Sequence, residues 1–379
     1  MHATTRTLTN AFIVASKRTP FGAFGGKLSN FTAAALGGLA SKGALSDLPS
    51  GTKIDSTIFG NVHSSDNSTA YLSRHVGHHA GLPVTTPALT VNRLCGSGFQ
   101  SIINAVQEIK VGDSNIVLTG GTESMSMAPY TLHGVRFGGG RFGVDLKLVD
   151  SLAAALTDMY PNPTPMGITA ENLAQKYGIT RQQCDEFALQ SQQRWQKAHE
   201  AGAFKDEIVP VEVKVKKVRT CHRIERELAS TTVLITYLPQ ATETMTVDEH
   251  PRGKTTIESL AKLPSVFKKE GTVTAGNASG ICDGAAANVI ASESAVKEQN
   301  LKPLARIVSY GITACEPSIM GIGPVEAIKM AMSRAGGLTM QDIDLWEVNE
   351  AFAAQFLSVQ KELELPAEKT NMFGGAIGE

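Results

Sequence analysis

The sequence lacks any apolar run long enough to span a bilayer, so no transmembrane helix is expected. It also lacks an excess of either charge: 35 lysines and arginines face 36 aspartates and glutamates, for a net charge of −1. No basic stripe interleaves with aromatics, which make up only 6% of the chain, and nucleic acid is not expected as a partner. The five cysteines (Cys95, Cys184, Cys221, Cys282 and Cys315) are odd in number, scattered, and form no Cys-x-x-Cys pair. A reduced compartment suits them better than a secreted disulfide framework. Acidic residues are missing from the start, where Arg6, Lys17, Arg18, Lys27 and Lys42 all precede the first acid, Asp47. Such a Thr-rich, acid-free start resembles an organellar targeting segment, yet the strand-like Ala11-Phe12-Ile13-Val14 leaves little room for one.

What is present is an alternation of short β-type runs with helical patterns. Strands are predicted at Phe12–Ala15, Ser56–Phe59, Ala88–Val91 and Asn115–Thr119, and helices at Phe31–Ala44, Tyr71–Ala80 and Phe99–Val111. That order predicts an α/β layered domain with a mostly parallel sheet. From Gly271 a second α/β block is expected, with strands at Ala287–Ala291, Ala305–Tyr310 and Leu345–Val348 and a helix over Ala351–Leu363. Ile54-Asp55 and Ile343-Asp344, each before a strand, hint at a duplicated domain. Between the blocks, Met125, Met127 and Met159 cluster with Gly138-Gly139-Gly140 and the Pro-rich Pro161–Pro165, a composition suited to an adaptable ligand wall or a subunit interface. Two helices follow, one capped by Thr169, the other by a Thr180/Gln183 capping box.

The chemistry points to Cys95. The stretch Ala88–Val91 alternates like a strand, and Phe99, Ile102, Ile103, Val106 and Ile109 fall at helical spacing, so Cys95 lies at a strand-to-helix turn. There the positive end of a helix dipole stabilises a thiolate, and Gly96 and Gly98 leave room for a substrate to reach the sulfur and nearby N–H groups. A buried core cysteine is the plainer alternative. Two metal-like patterns are weaker. Cys221-His222 has no partner pair at matching spacing, so 218–246 reads as a solvent-exposed insertion. His75 shares a helix face with His78 and His79, but without a carboxylate or cysteine at ligand spacing these read as a surface or interface cluster. A papain-like hydrolase is disfavoured, because Gly98-Phe99 follows Cys95-Gly96-Ser97 where that family has Cys and Trp or Tyr.

Six stretches in register resemble the thiolase family, in its 3-ketoacyl-CoA (acetyl-CoA acyltransferase) branch. They are Arg18–Gly22, Asn92–Gly98, Gly120–Ser126, Thr169–Asn172, Gly271–Gly280 and Asn349–Ala353. The resemblance implies duplicated α/β/α layered halves with an inserted loop domain: an N-terminal half over 1–124, a loop domain over 125–252 with an atypical insertion at 218–246, and a C-terminal half over 253–379, with strands from 253–290 able to join the first half. It implies acyl transfer between a 3-ketoacyl-CoA and CoA in fatty-acid β-oxidation. Cys95 matches the nucleophile, Asn349 the holder of an oxyanion-hole water, and Arg252, Thr255 and Ser279 match coenzyme A contacts. His63, His133, His199 and His250 match no catalytic position. Coenzyme A is a substrate; no metal or redox cofactor is implied. A homotetramer or homodimer in the mitochondrial matrix is expected. Family members continue past Gly-Gly-Ala-Ile into a Gly-His-Pro loop and later a Cys-x-Gly motif that supply acid/base groups, whereas this sequence reads Gly374-Gly375-Ala376-Ile377-Gly378-Glu379. The expectation is therefore an incomplete second half with impaired turnover. The alternative is an inactive CoA- or acyl-binding subunit paired with a full-length homologue.

Overall fold

Period-two alternation sorts the side chains of one central sheet onto two faces, and helices cover both. The computed structural model describes residues 10–138, 140–216 and 240–378. Residues 1–9, with Arg6, and the pair Cys221-His222 lie outside the described residues. In chain order the elements that build the first core are β1 (Ala11–Arg18), α1 (Ala33–Ser46), β2 (Ser56–Gly60), α2 (Leu72–Ala80), β3 (Ala88–Val91), α3 (Ser97–Val111) and β4 (Ile116–Ser124). Then come α4 (Met166–Tyr177), α5 (Arg181–Glu200), β5 (Val211–Lys216), β6 (Gln240–Met245), β7 (Cys282–Ser292), β8 (Ala305–Ile307), α6 (Gly323–Arg334) and α7 (Ala353–Leu363).

Phe59 of β2, Ile116 and Leu118 of β4, and Ala287 and Val289 of β7 face Leu36 and Ala40 of α1 and Leu72 and Val76 of α2. Their neighbours Ile58, Val117 and Ile290 point the other way, onto Ala105, Val106 and Ile109 of α3. Successive residues of a strand thus serve opposite layers, which makes the unit α/β/α. Two helices reach one face side by side because α1 carries glycine where α2 crosses it. A Cβ on Gly38 would lie 2.3 Å from that of His79. Thr32 caps α1 by accepting from Ala35 N, and Gly81 and Gly112 close α2 and α3 in the left-handed conformation.

The strand order is β8-β1-β7-β4-β2-β3, with a two-residue strand, Gly22–Ala23, also on β7. The expectation of a mostly parallel sheet is corrected here. Only β2 with β3 and β2 with β4 run parallel; β7 lies antiparallel to both β1 and β4, and β8 antiparallel to β1. The central strand comes from far along the chain, so the local β-α-β order does not determine its direction.

Other expectations also change. Thr169 does not cap α4: the helix begins just after Pro165, and the Thr169 hydroxyl donates to the Met166 carbonyl inside it. Leu345–Val348 forms no strand, only an isolated bridge from Trp346 to Thr370. The last part of the supposed solvent-exposed insertion, 240–245, pairs with β5, and Met245 is buried in the first core. The Thr180/Gln183 capping box is present at the start of α5. A second core joins α4, α5, α6 and α7, with Phe187 and Phe356 stacked at 4.3 Å between centroids. No helix among the described residues is long and apolar enough to cross a membrane.

Candidate active site

Cys95 is exposed, on the turn between edge strand β3 and α3. The turn is held from inside. Asn92 Oδ1 accepts from the Leu94 N–H at 2.9 Å, and Leu94 has φ +48°, a left-handed conformation that is uncommon for a residue with a Cβ. Ser97 Oγ accepts from Arg93 N–H at 2.9 Å and donates to the Leu94 carbonyl at 2.6 Å. Arg93 reaches forward to Gln100 at 2.7 Å. The Cys95 sulfur has no hydrogen bond among the described residues. A Cβ on Gly98 would meet nothing within 4 Å, so the space at the mouth of α3 is open. The first N–H groups of a helix lack intrahelical acceptors; the Gly96 and Ser97 N–H groups are taken by the Arg93 and Leu94 carbonyls, so the donors left at this helix start are those of Gly98 and Phe99.

The parallel strands β2, β3 and β4 all end on this side, where ligands of open α/β sheets commonly bind. Gly60 at the end of β2 pairs with Val91 and with Gly121, and β7 starts here with Asp283 opposite Ser124. Just past the end of β2, the Glu123 carboxylate accepts from Asn61 Nδ2 at 2.7 Å, Val62 N at 2.9 Å and His63 N at 3.2 Å. Burial nevertheless pushes its pKa up to about 7. Asn92 Nδ2 approaches the Val62 carbonyl at 3.5 Å, linking that loop to the cysteine turn. His63 is buried, which lowers its pKa.

Ser279 lies just before β7, and its N–H donates to the Ala351 carbonyl at 3.0 Å. Asn277 and Ala353 are joined likewise, through Ala353 N–H and the Asn277 carbonyl at 2.9 Å. These bonds bring Ser279 to the Asn349-Glu350 turn. Asn349 itself is exposed, while its neighbours are fixed. Asn371 bonds both the N–H and the carbonyl of Val348 and also donates to Glu350. Glu350, 1% exposed, accepts from Ser191 Oγ at 2.6 Å and from Ile377 N at 3.2 Å as well. Burial raises its pKa against those donors.

Arg252 and Thr255 share one turn, in which the Thr255 N–H and hydroxyl both donate to the Arg252 carbonyl. The Arg252 side chain is exposed, and its N–H donates to Gln192 of α5 at 2.7 Å. Gln192 in turn donates to the Ile377 carbonyl. Helix α5 thereby connects the Arg252 turn, the 374–378 turn and the Asn349 turn. No hydrogen bond among the described residues joins the Cys95 turn to these three. Ser279 shares its end of the sheet through the Asp283–Ser124 pairing. His250 packs on Gly280, where an added Cβ would lie 2.4 Å from its ring, and burial lowers its pKa. His75 stacks on Tyr71 and His199 on Trp195. Among the described residues, no group of three or more His, Cys, Asp or Glu could hold a metal ion.

The sequence reading gave no role to Glu123, Glu350, Ser97 or Asn92.

The thiolase N-terminal domain model matches residues 11–294, and the thiolase C-terminal domain model matches 301–378. The chain belongs to the thiolase family. It is 56% identical to the mitochondrial 3-ketoacyl-CoA thiolase of Mus musculus over 372 residues, covering 98% of this chain and 87% of that protein. It is 47% identical to an acetyl-CoA acetyltransferase of Chromobacterium violaceum, covering 96% of this chain and 87% of that protein. Among solved structures, human mitochondrial 3-ketoacyl-CoA thiolase superposes with a TM-score of 0.89 at 55% identity, covering 98% of this chain and 88% of that one. The same human thiolase in complex with CoA gives 0.88 at 54% identity, covering 98% and 87%. Because the C-terminal model extends to residue 378, the expectation of an incomplete second half is not borne out.

Proposed function

We propose that this thiolase transfers acyl groups between 3-ketoacyl-CoA and CoA through a thioester on Cys95. The observation that carries the reading is the exposed sulfur on a left-handed turn at the mouth of α3, on the side where the parallel strands end. In this reading the Cys95 thiolate attacks the C3 carbonyl, and adjacent N–H groups stabilise the oxyanion. The C2–C3 bond breaks, the acetyl-CoA enolate takes up a proton, and the acyl group stays on sulfur. Attack by CoA thiolate then releases acyl-CoA and restores Cys95.

Asn349 is the proposed holder of a water that donates to an oxyanion, since its exposed amide stands between two fixed residues and adds no charge. Ser279, Arg252 and Thr255 are the proposed coenzyme A contacts; an exposed guanidinium can both stack on adenine and pair with phosphate. Support for coenzyme A comes from the CoA complex of the human relative. The names of the mammalian relatives support a mitochondrial setting; the matrix as compartment, β-oxidation as pathway and a homotetramer or homodimer as assembly are part of the proposal. Coenzyme A serves as substrate, with no resident cofactor or metal.

The resemblance assigns proton transfer to a Gly-His-Pro histidine and to the cysteine of a C-terminal Cys-x-Gly motif. A stoichiometric assay tests the acylation step. With protein in excess over acetyl-CoA, free CoA thiol should appear with the chain intact and should not appear with Cys95→Ser. Equal release from both would refute the assignment.

A further inference from the structure

We infer that Ser97 and Asn92 are the positioning residues that aim the Cys95 sulfur for acyl transfer. The inference rests on the nucleophile reading above and adds to it the means by which the turn is kept in shape.

Leu94, the residue before the nucleophile, has φ +48°, a region that L-residues with a Cβ populate sparsely unless their surroundings over-determine it. Two backbone bonds help: Gly96 N–H to the Arg93 carbonyl and Ser97 N–H to the Leu94 carbonyl, both at 3.0 Å. Side chains supply the rest. Asn92 Oδ1 takes the Leu94 N–H, closing an Asx-turn on the entry side. The Ser97 hydroxyl holds both flanks at once, through Arg93 N–H and the Leu94 carbonyl. That carbonyl thus receives two donors from one residue, which fixes the Leu94–Cys95 peptide plane and the direction of the Cys95 side chain.

Ser97 is itself immobilised. It is 4% exposed, and a Cβ on Gly60 would lie 2.5 Å from its carbonyl carbon, so the first turn of α3 rests directly on β2. Neither hydroxyl nor amide is hydrogen-bonded to the sulfur. Both act through the shape of the turn, and acyl transfer depends on that shape more steeply than simple alkylation does, because the sulfur must meet a bound thioester along a defined line.

The test compares two reactions at the Cys95 peptide in the full chain: acylation by acetyl-CoA and alkylation by iodoacetamide. Ser97→Ala and Asn92→Ala should slow acylation by about 10- to 100-fold while alkylation changes by less than about threefold. Asn92→Asp, which keeps the acceptor for Leu94 N–H, should recover most of what Asn92→Ala loses. Acylation unchanged in both alanine variants, or acylation and alkylation falling together, overturns the inference. If the unaltered chain is not acylated, the nucleophile reading fails, and a crystal structure of Ser97→Ala or Asn92→Ala still decides the positioning claim. A left-handed Leu94 with the same turn in either variant overturns it; a relaxed turn upholds it. Should Ser97→Ala fail to fold, Asn92→Ala and Asn92→Asp carry the comparison alone.

Discussion

Gly60 and Ser97 are in contact across the joint between β2 and α3: a Cβ added to Gly60 would lie 2.5 Å from the Ser97 carbonyl carbon and 2.6 Å from its Cβ. Both obstacles belong to a buried, hydrogen-bonded turn that cannot swing aside. Gly60→Ala should therefore push the start of α3 away from the sheet and cost about 1–3 kcal/mol by overpacking. Urea unfolding measures the loss, and acetyl-CoA acylation of Cys95 should slow with it. Unaltered stability would mean that α3 is not held against β2 as described.

Much of the fold was legible because the signals are local. The strands at Ser56–Gly60 and Ala88–Val91 and helices α2 and α3 lie where alternation and helical spacing placed them, as does the turn that carries Cys95. Sheet direction was not legible. It depends on β7 inserting between β1 and β4, a pairing of segments far apart in sequence, such as Ala287 with Gly120. Thr169 misled because Ser and Thr serve both as caps and as donors to a carbonyl one turn back, and Pro165 rather than Thr169 marks the helix start. Leu345–Val348 has the composition of a strand, but Trp346 finds only a single bridging partner in Thr370. Within the site, the Asx-turn at Asn92 could have been read from the residue type. The bonds from Ser191 to Glu350 and from Gln192 to the Arg252 turn could not, because they join segments far apart in sequence.

The Glu123 carboxyl should impose a pH dependence on stability. Burial lifts its pKa from an ordinary 4.5 to about 7 despite three donors that oppose the shift. The folded state thus holds a proton that the unfolded chain releases earlier. The contribution is fully present below about pH 4.5, declines as pH rises toward about 7 and is flat above it. The total change is on the order of 1–3 kcal/mol. Denaturant titrations across this window should show the unaltered chain losing stability relative to Glu123→Gln as pH rises. A difference independent of pH would contradict the assignment.

Glu350 ties the Asn349 turn to α5 and to the 374–378 turn. Glu350→Ala removes the acceptor for Ser191 Oγ, Asn371 Nδ2 and Ile377 N–H in a buried site. Unsatisfied donors and the vacated volume should together cost about 2–4 kcal/mol. Thermal unfolding reads the loss, and hydrogen exchange should quicken at Ile377, whose N–H loses its partner. Unchanged protection there would argue against the network.

Asp248, with its side chain fully buried, forms a two-pronged pair with Arg18 at 2.7 and 3.0 Å and also accepts from Phe21 N–H. This pair fastens the end of β1 to the segment leading into the Arg252 turn. Asp248→Ala should destabilise the chain by about 3 kcal/mol, because it takes the two-pronged, fully buried carboxylate partner from a buried guanidinium and leaves the more exposed Glu207 in place. A loss below about 1 kcal/mol in urea would show that the other partners of Arg18, Glu207 among them, suffice.

The most direct trial of the reading as a whole is peptide mass spectrometry after brief exposure of the folded chain to acetyl-CoA. One acetyl group should be found on Cys95, removable by added CoA and absent from Cys184, Cys282 and Cys315. A folded sample in which Cys95 stays unmodified, or is acetylated no more than Cys315, which is also exposed, would contradict the account.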